Sequence, residues 1–153
     1  MNEEFMREAL RLAEKAKKKG EVPIGAVVVL NGKIIGRGYN LRTRLQLATA
    51  HAELRAIEKA CKKMHSWRLP EAELYVTLEP CPMCMGAILN ARIEKVYFGA
   101  YEQKGRSLTG ELANANLLNH TVEVTGGILE EECKEILSSF FSEMRLREKN
   151  KKK

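Results

Sequence analysis

Residues 3 to 19 carry Phe5, Ala9, Leu12, Ala13 and Ala16 at helical spacing, with Arg7, Glu8, Arg11, Glu14, Lys15 and Lys18 on the other side. That pattern predicts an amphipathic helix laid on a core and stopped by Gly20. Lysines 17 to 19 at its end suit the negative pole of the helix dipole. Ile24 to Leu30 is apolar and valine-rich, and Lys33 to Gly38 is a second strand candidate. Asn31-Gly32 between them predicts a two-residue hairpin. Tyr39 to Thr49 is polar and without a period, so it reads as a loop. From Ala50, the positions Ala52, Ala56, Ile57, Ala60, Cys61 and Met64 predict a largely buried helix ending near His65.

In the second half, Glu73 to Leu78 alternates as a strand, Pro82 to Ala91 reads as a helix, and Glu94 to Gly99 as another strand. Pro82 falls in the first helical turn, where its missing N–H costs nothing. Residues 100 to 119 have the weakest pattern, a loop with a short helix near Ser107 to Ala115. Thr121 to Thr125 predicts a final strand, Gly126-Gly127 a turn, and Ile128 to Leu146 a closing helix. The apolar face of that helix is Ile136, Leu137, Phe140, Phe141 and Met144. No internal repeat or linker is visible. A hairpin followed by alternating helices and strands predicts an α/β domain, one mixed sheet with helices on both faces.

Composition narrows this picture. The 153 residues are 44% hydrophobic and 30% charged, which suits one globular domain. No apolar run approaches the ~18 residues of a membrane span, and Met1-Asn2-Glu3-Glu4 lacks the basic-then-apolar order of a signal peptide. A soluble, cytoplasmic protein is expected. The net charge of +6 is concentrated at one end. Arg145, Arg147, Lys149, Lys151, Lys152 and Lys153 stand against Glu148 alone, so the body is almost neutral. Residues 1–146 are expected to form the domain and 147–153 a basic, disordered tail, either a solubilising end or a phosphate contact. The chain contains no Asp, which excludes an aspartic dyad, a Ser-His-Asp triad and Asp-based calcium loops.

Four cysteines in a chain without export signals favour metal binding over disulfides. Cys61 and Cys133 lie in helical patterns and read as buried core residues. Cys81 and Cys84 form a C-x-x-C at a helix start, where the dipole favours thiolate. Alone, this pair fits half of a structural zinc site or a redox pair. Of the three histidines, His65 ends a helix and His120 flanks a strand. His51 opens the buried helix in Ala50-His51-Ala52-Glu53. Helices that follow parallel strands begin at one sheet edge, so His51 can meet both thiolates there. Three N/S ligands with no second close pair fit catalytic zinc with an open fourth position. Glu53 is then the candidate proton carrier for a water made acidic by the metal.

His-x-Glu with Pro-Cys-x-x-Cys is the signature of zinc nucleobase deaminases. Glu21-Val22-Pro23-Ile24-Gly25-Ala26-Val27, Thr49-Ala50-His51-Ala52-Glu53 and Leu74-Tyr75-Val76-Thr77-Leu78-Glu79-Pro80-Cys81 further resemble the bacterial tRNA-specific adenosine deaminases. So do Trp67-Arg68-Leu69 and Asn119-His120, and the resemblance spans roughly residues 4 to 146. It implies a cytidine deaminase-like three-layer α/β/α fold with a five-stranded mixed sheet. It implies hydrolytic conversion of adenosine to inosine at the wobble position of a tRNA anticodon stem-loop, by a homodimer with one Zn2+ per chain. His51, Cys81 and Cys84 match the zinc ligands, Glu53 the proton shuttle, and Asn40 and Ala52 substrate-binding positions. Two loops depart from the family. Leu47-Ala48 stand where it often has Asp-Pro, and Glu102-Gln103-Lys104-Gly105-Arg106-Ser107 where it has Asp-x-Lys and a glycine-rich run. A deaminase of free guanine or another small base, or an engineered relative acting on single-stranded DNA, carries similar zinc motifs.

Overall fold

Asn31 and Gly32 close the first hairpin with φ of 51° and 74°, the left-handed pair that matches the twist of the flanking strands. In the computed structural model, which describes residues 1–102 and 107–151, this hairpin joins β1 (Gly25–Leu30) to β2 (Lys33–Tyr39). β1 also pairs antiparallel with β3 (Glu73–Leu78). Parallel ladders then add β4 (Lys95–Ala100) and β5 (Glu123–Thr125), giving the order β2-β1-β3-β4-β5. The expected five-stranded mixed sheet is present. Its last strand covers only three of the five residues expected, because it lies at an edge with one neighbour to pair with.

Successive strand residues point into two different cores, as the period of two requires. Ala26, Val28, Leu74, Val76, Val96 and Phe98 meet α3 (Ala52–Met64), α4 (Pro82–Asn90) and α5 (Thr109–Asn114) on one face. Val27, Val29, Tyr75 and Tyr97 meet α1 (Glu3–Lys18) and α6 (Glu130–Lys151) on the other. The architecture is a three-layer α/β/α sandwich. Contact between β2 and α3 is unusually close. A Cβ on Gly38 would stand 2.4 Å from the Ala52 carbonyl oxygen, and one on Gly36 2.2 Å from that of Ala56. Glycine at both positions lets the α3 backbone lie directly on the sheet.

Several boundaries differ from the sequence pattern. The loop expected over 39–49 contains a one-turn helix, α2 (Arg42–Leu45), ended by Gln46 at φ 54°. α3 starts at Ala52 rather than Ala50, and Met6, not Phe5, is the fully buried anchor of α1. Cys133 is buried as expected, whereas Cys61 is only half-buried. Residues 147–151, expected within a basic tail, continue α6 with exposed side chains. Arg, Leu, Glu and Lys all propagate a helix well, and no Gly or Pro interrupts them. Residues 152 and 153, like 103–106 in the second departing loop, lie outside the described residues. Among the described residues, no helix is long and apolar enough to cross a membrane.

Candidate metal and nucleobase site

β2 and β3 both run antiparallel to β1, so they point the same way. The helices that follow them, α3 and α4, therefore begin at one edge of the sheet. His51 is the N-cap of α3 (φ −78°, ψ 153°) and Cys81 the N-cap of α4 (φ −75°, ψ 169°), and neither side chain caps its own helix. They turn toward each other instead. Cys84, one turn into α4 and buried, completes the group. His51 Nδ1 lies 3.7 Å from Cys81 Sγ and 3.5 Å from Cys84 Sγ. All three ligand atoms fall within 4.8 Å of one another. Zinc with bonds of about 2.3 Å to sulfur and 2.05 Å to nitrogen, at tetrahedral angles, requires N···S separations of about 3.6 Å. The residues fit the metal. His65 and His120 stand apart: His65 ends α3 at φ 52°, and His120 Nε2 donates to the Ile93 carbonyl at 2.7 Å.

The groups divide their protons unevenly, with Cys81 the one held as thiolate. Cys84 donates its S–H to Cys81, and with a further contribution from His51 the Cys81 thiol falls to about 4. Cys84, holding the shared proton and buried, is pushed up. The hydrogen bond to Cys81 raises His51. Glu53, only 4% exposed in the first turn of α3, is pushed up to about 7 by burial. Its carboxyl lies next to the Cys84 thiol, so it stands beside the ligand group without being one of the three. A carboxyl that titrates near neutrality can both take and return a proton.

Asn40 follows β2 at the same edge and is 6% exposed. Its Oδ1 accepts the Arg42 N–H at 3.1 Å, and its Nδ2 donates to the Val22 carbonyl at 3.2 Å. The Arg42 donor fixes which end of the amide is oxygen, leaving one N–H and one lone pair for a ligand. Asn40 and Ala52 line a cavity of about 110 Å3 with Val22, Ile24, Arg42 and His51. Ala52, the first residue of α3, has an N–H with no acceptor inside its helix. The sequence reading thus named residues that the fold brings to one edge.

It missed two buried carboxylates that hold the flanking loops. Glu21 accepts the N–H groups of Thr43 at 3.2 Å and Arg44 at 2.6 Å. Glu79 accepts the Glu102 N–H at 3.0 Å and the Ser107 hydroxyl. Burial pushes Glu79 up, but the hydrogen bonds from Ser107, Thr109 and Glu102 outweigh it and the carboxyl sits below its usual range. Their partners lie more than twenty residues away, and no local pattern signals them.

Comparison with known proteins agrees with this geometry. The MafB19-like deaminase family matches residues 1–145. A tRNA-specific adenosine deaminase of Bacillus subtilis is 52% identical over 155 residues, covering 99% of this chain and 96% of its own. A solved tRNA:A34 deaminase, studied for A-to-I editing at the wobble position of transfer RNA, superposes with a TM-score of 0.82 at 43% identity. That match covers 89% of this chain and all of the other. A guanine deaminase from Bacillus subtilis is 44% identical with a TM-score of 0.63, covering 66% of each chain. With the ligand group, the buried glutamate and near full-length similarity in agreement, the chain belongs to the bacterial tRNA-specific adenosine deaminase family.

Proposed function

We propose that this protein is a zinc-dependent hydrolase that converts adenosine to inosine at wobble position 34 of tRNA anticodon loops. The observation that carries this reading is the convergence of His51, Cys81 and Cys84 beside buried Glu53, with His51 also lining the Asn40 cavity. His51, Cys81 and Cys84 would hold one Zn2+. When bound, zinc supplies the Lewis acidity that lowers the pKa of water from ~15.7 to ~7. Asn40 and the Ala52 N–H orient the base, with C6 toward the ligand group. Glu53 accepts a proton from the attacking water and delivers it to N1 of adenine. As the C6–N bond breaks, Glu53 takes the remaining proton from the oxygen added at C6 and passes it to the departing amino group, so adenosine and water become inosine and ammonia. An anticodon loop makes the base accessible, since its nucleotides are already unpaired.

Residues 1–146 constitute the deaminase domain in this reading, with the basic end of the chain beyond it. The protein acts in the cytoplasm, as a homodimer. Purified protein carrying one zinc per chain, incubated with a stem-loop bearing A at the wobble position, is expected to yield inosine. Ammonia release from free guanine with the stem-loop untouched would replace this reading with that of a guanine deaminase. A control oligonucleotide of single-stranded DNA tests the remaining substrate class.

A further inference from the structure

Glu21 is 2% exposed and makes no salt bridge among the described residues. Burying a carboxylate is costly unless hydrogen bonds replace its water. Its two oxygens accept two consecutive backbone donors, Thr43 N–H at 3.2 Å and Arg44 N–H at 2.6 Å. These are first-turn donors of α2, a four-residue helix whose N-cap, Leu41, has no side-chain acceptor. A helix of one turn does not persist by itself. Glu21 supplies the missing cap from far upstream, and its negative charge suits the helix N-terminus.

The consequence reaches the base cavity. α2 begins at Arg42, whose N–H is donated to Asn40 Oδ1 at 3.1 Å. The next residue after Glu21, Val22, accepts the Asn40 side-chain amide through its carbonyl at 3.2 Å, and Ile24 accepts the Asn40 backbone N–H at 3.0 Å. One short segment, 21–24, thus grips both α2 and Asn40. If α2 swings away, Arg42 N–H leaves Asn40 Oδ1, and only the bond to the Val22 carbonyl still opposes the amide turning over. Turning it exchanges the donor and acceptor presented to the base.

We propose that Glu21 is the positioning residue of the nucleobase site: its buried carboxylate anchors α2, which holds Arg42 N–H on Asn40 and so fixes the donor–acceptor order of that amide. This deepens the deaminase reading and rests on it for the role of Asn40. The variant Glu21→Gln keeps the volume but turns an amide N–H toward one of the two backbone donors. In the full-length, zinc-loaded protein it is expected to raise KM for the wobble-A stem-loop about tenfold or more, the scale of a lost charge-assisted hydrogen bond. The kcat is expected to stay within about twofold, with zinc still at one per chain.

A double-mutant cycle makes the test specific. Against an Asn40→Ala background, Glu21→Gln is expected to change kcat/KM by no more than about twofold. Equal fold-losses in both backgrounds, or no loss in the single variant, would overturn the proposal. Should Glu21→Gln fail to fold, amide exchange on the wild-type protein decides instead. Thr43 and Arg44 N–H are expected to be protected, and exchange as fast as that of an unbonded loop refutes the anchor. Inactivity of the wild-type enzyme on the stem-loop would sink the substrate reading alone, since the exchange measurement does not depend on it.

Discussion

Glu53 combines two properties that pull against each other, a buried carboxyl and a position against three protonic groups. Burial pushes it to about 7, where proton transfer in both directions is cheap at neutral pH. Because His51, Cys81 and Cys84 form the ligand group without it, Glu53→Ala is expected to bind zinc at one per chain. Its turnover should fall by ~10² to 10⁴, the span of a lost general acid–base group. Metal analysis beside single-turnover kinetics checks both halves, and comparable activity in the two proteins would remove Glu53 from the reaction. A second residue, Cys133, is buried behind Gly99, and burial pushes its thiol up to about 12. An unfolded chain ionises this thiol near its ordinary ~8.5. The folded state therefore keeps a proton that the unfolded state loses. Its contribution to stability is complete below ~8.5 and shrinks as pH rises toward 12. Urea midpoints at pH 8 and pH 10.5 should differ less for Cys133→Ala than for the wild type, and an identical alkaline loss would contradict the assignment. At this scale the sequence was most informative where chemistry is local. Helix-start residues such as His51, Cys81 and Cys84 announce themselves by type and spacing. Glu21 and Glu79 do not, because each is defined by partners on a distant loop.

Among the elements, α3 matters most, since its first turn carries Ala52 and Glu53 and its N-cap is His51. Its depth is set by Gly36 and Gly38 on β2, where added Cβ atoms would meet backbone rather than a flexible side chain. Backbone cannot give way locally, so Gly38→Ala should lift the N-terminal half of α3 from the sheet. The expected cost is about 1–3 kcal/mol of stability, typical of overpacking, together with weaker zinc retention against a chelator. Urea unfolding and a chelator competition read the two effects. Wild-type values in both would show that the contact is slack. The hairpin, the strands and the amphipathic α1 were legible from period and turn chemistry alone. The close approach at Gly36 and Gly38 was not, because a strand glycine has the same local appearance whether it faces a helix backbone or open space. The same limit hid α2, whose first-turn donors are met by the distant Glu21.

At the scale of the molecule, charge and fold are separated. Positive charge gathers on the last turns of α6, with Arg145 and Lys149 one above the other at i, i+4 and Arg147 and Lys151 on another side. The helix is held by Cys133, Ile136 and Phe140 well before this end. Removing the residues after Met144 should therefore leave the fold intact. Arg145 lines a groove of about 510 Å3 together with Tyr101 and Val22, and Val22 also borders the Asn40 cavity. The basic end of α6 thus starts at a groove that shares Val22 with the Asn40 cavity. Each phosphate neutralised there releases counterions, which steepens the salt dependence of binding by ~0.7 to 0.9 log units per contact. Truncation after Met144 is expected to flatten the plot of log affinity against log salt by at least one such step. It should leave kcat at saturating stem-loop unchanged, because no ligand of the metal group and no residue of the base cavity is removed. Affinity measured from 50 to 300 mM salt on both proteins decides the matter: parallel lines would make the basic turns bystanders, and a flatter line makes them part of the RNA path.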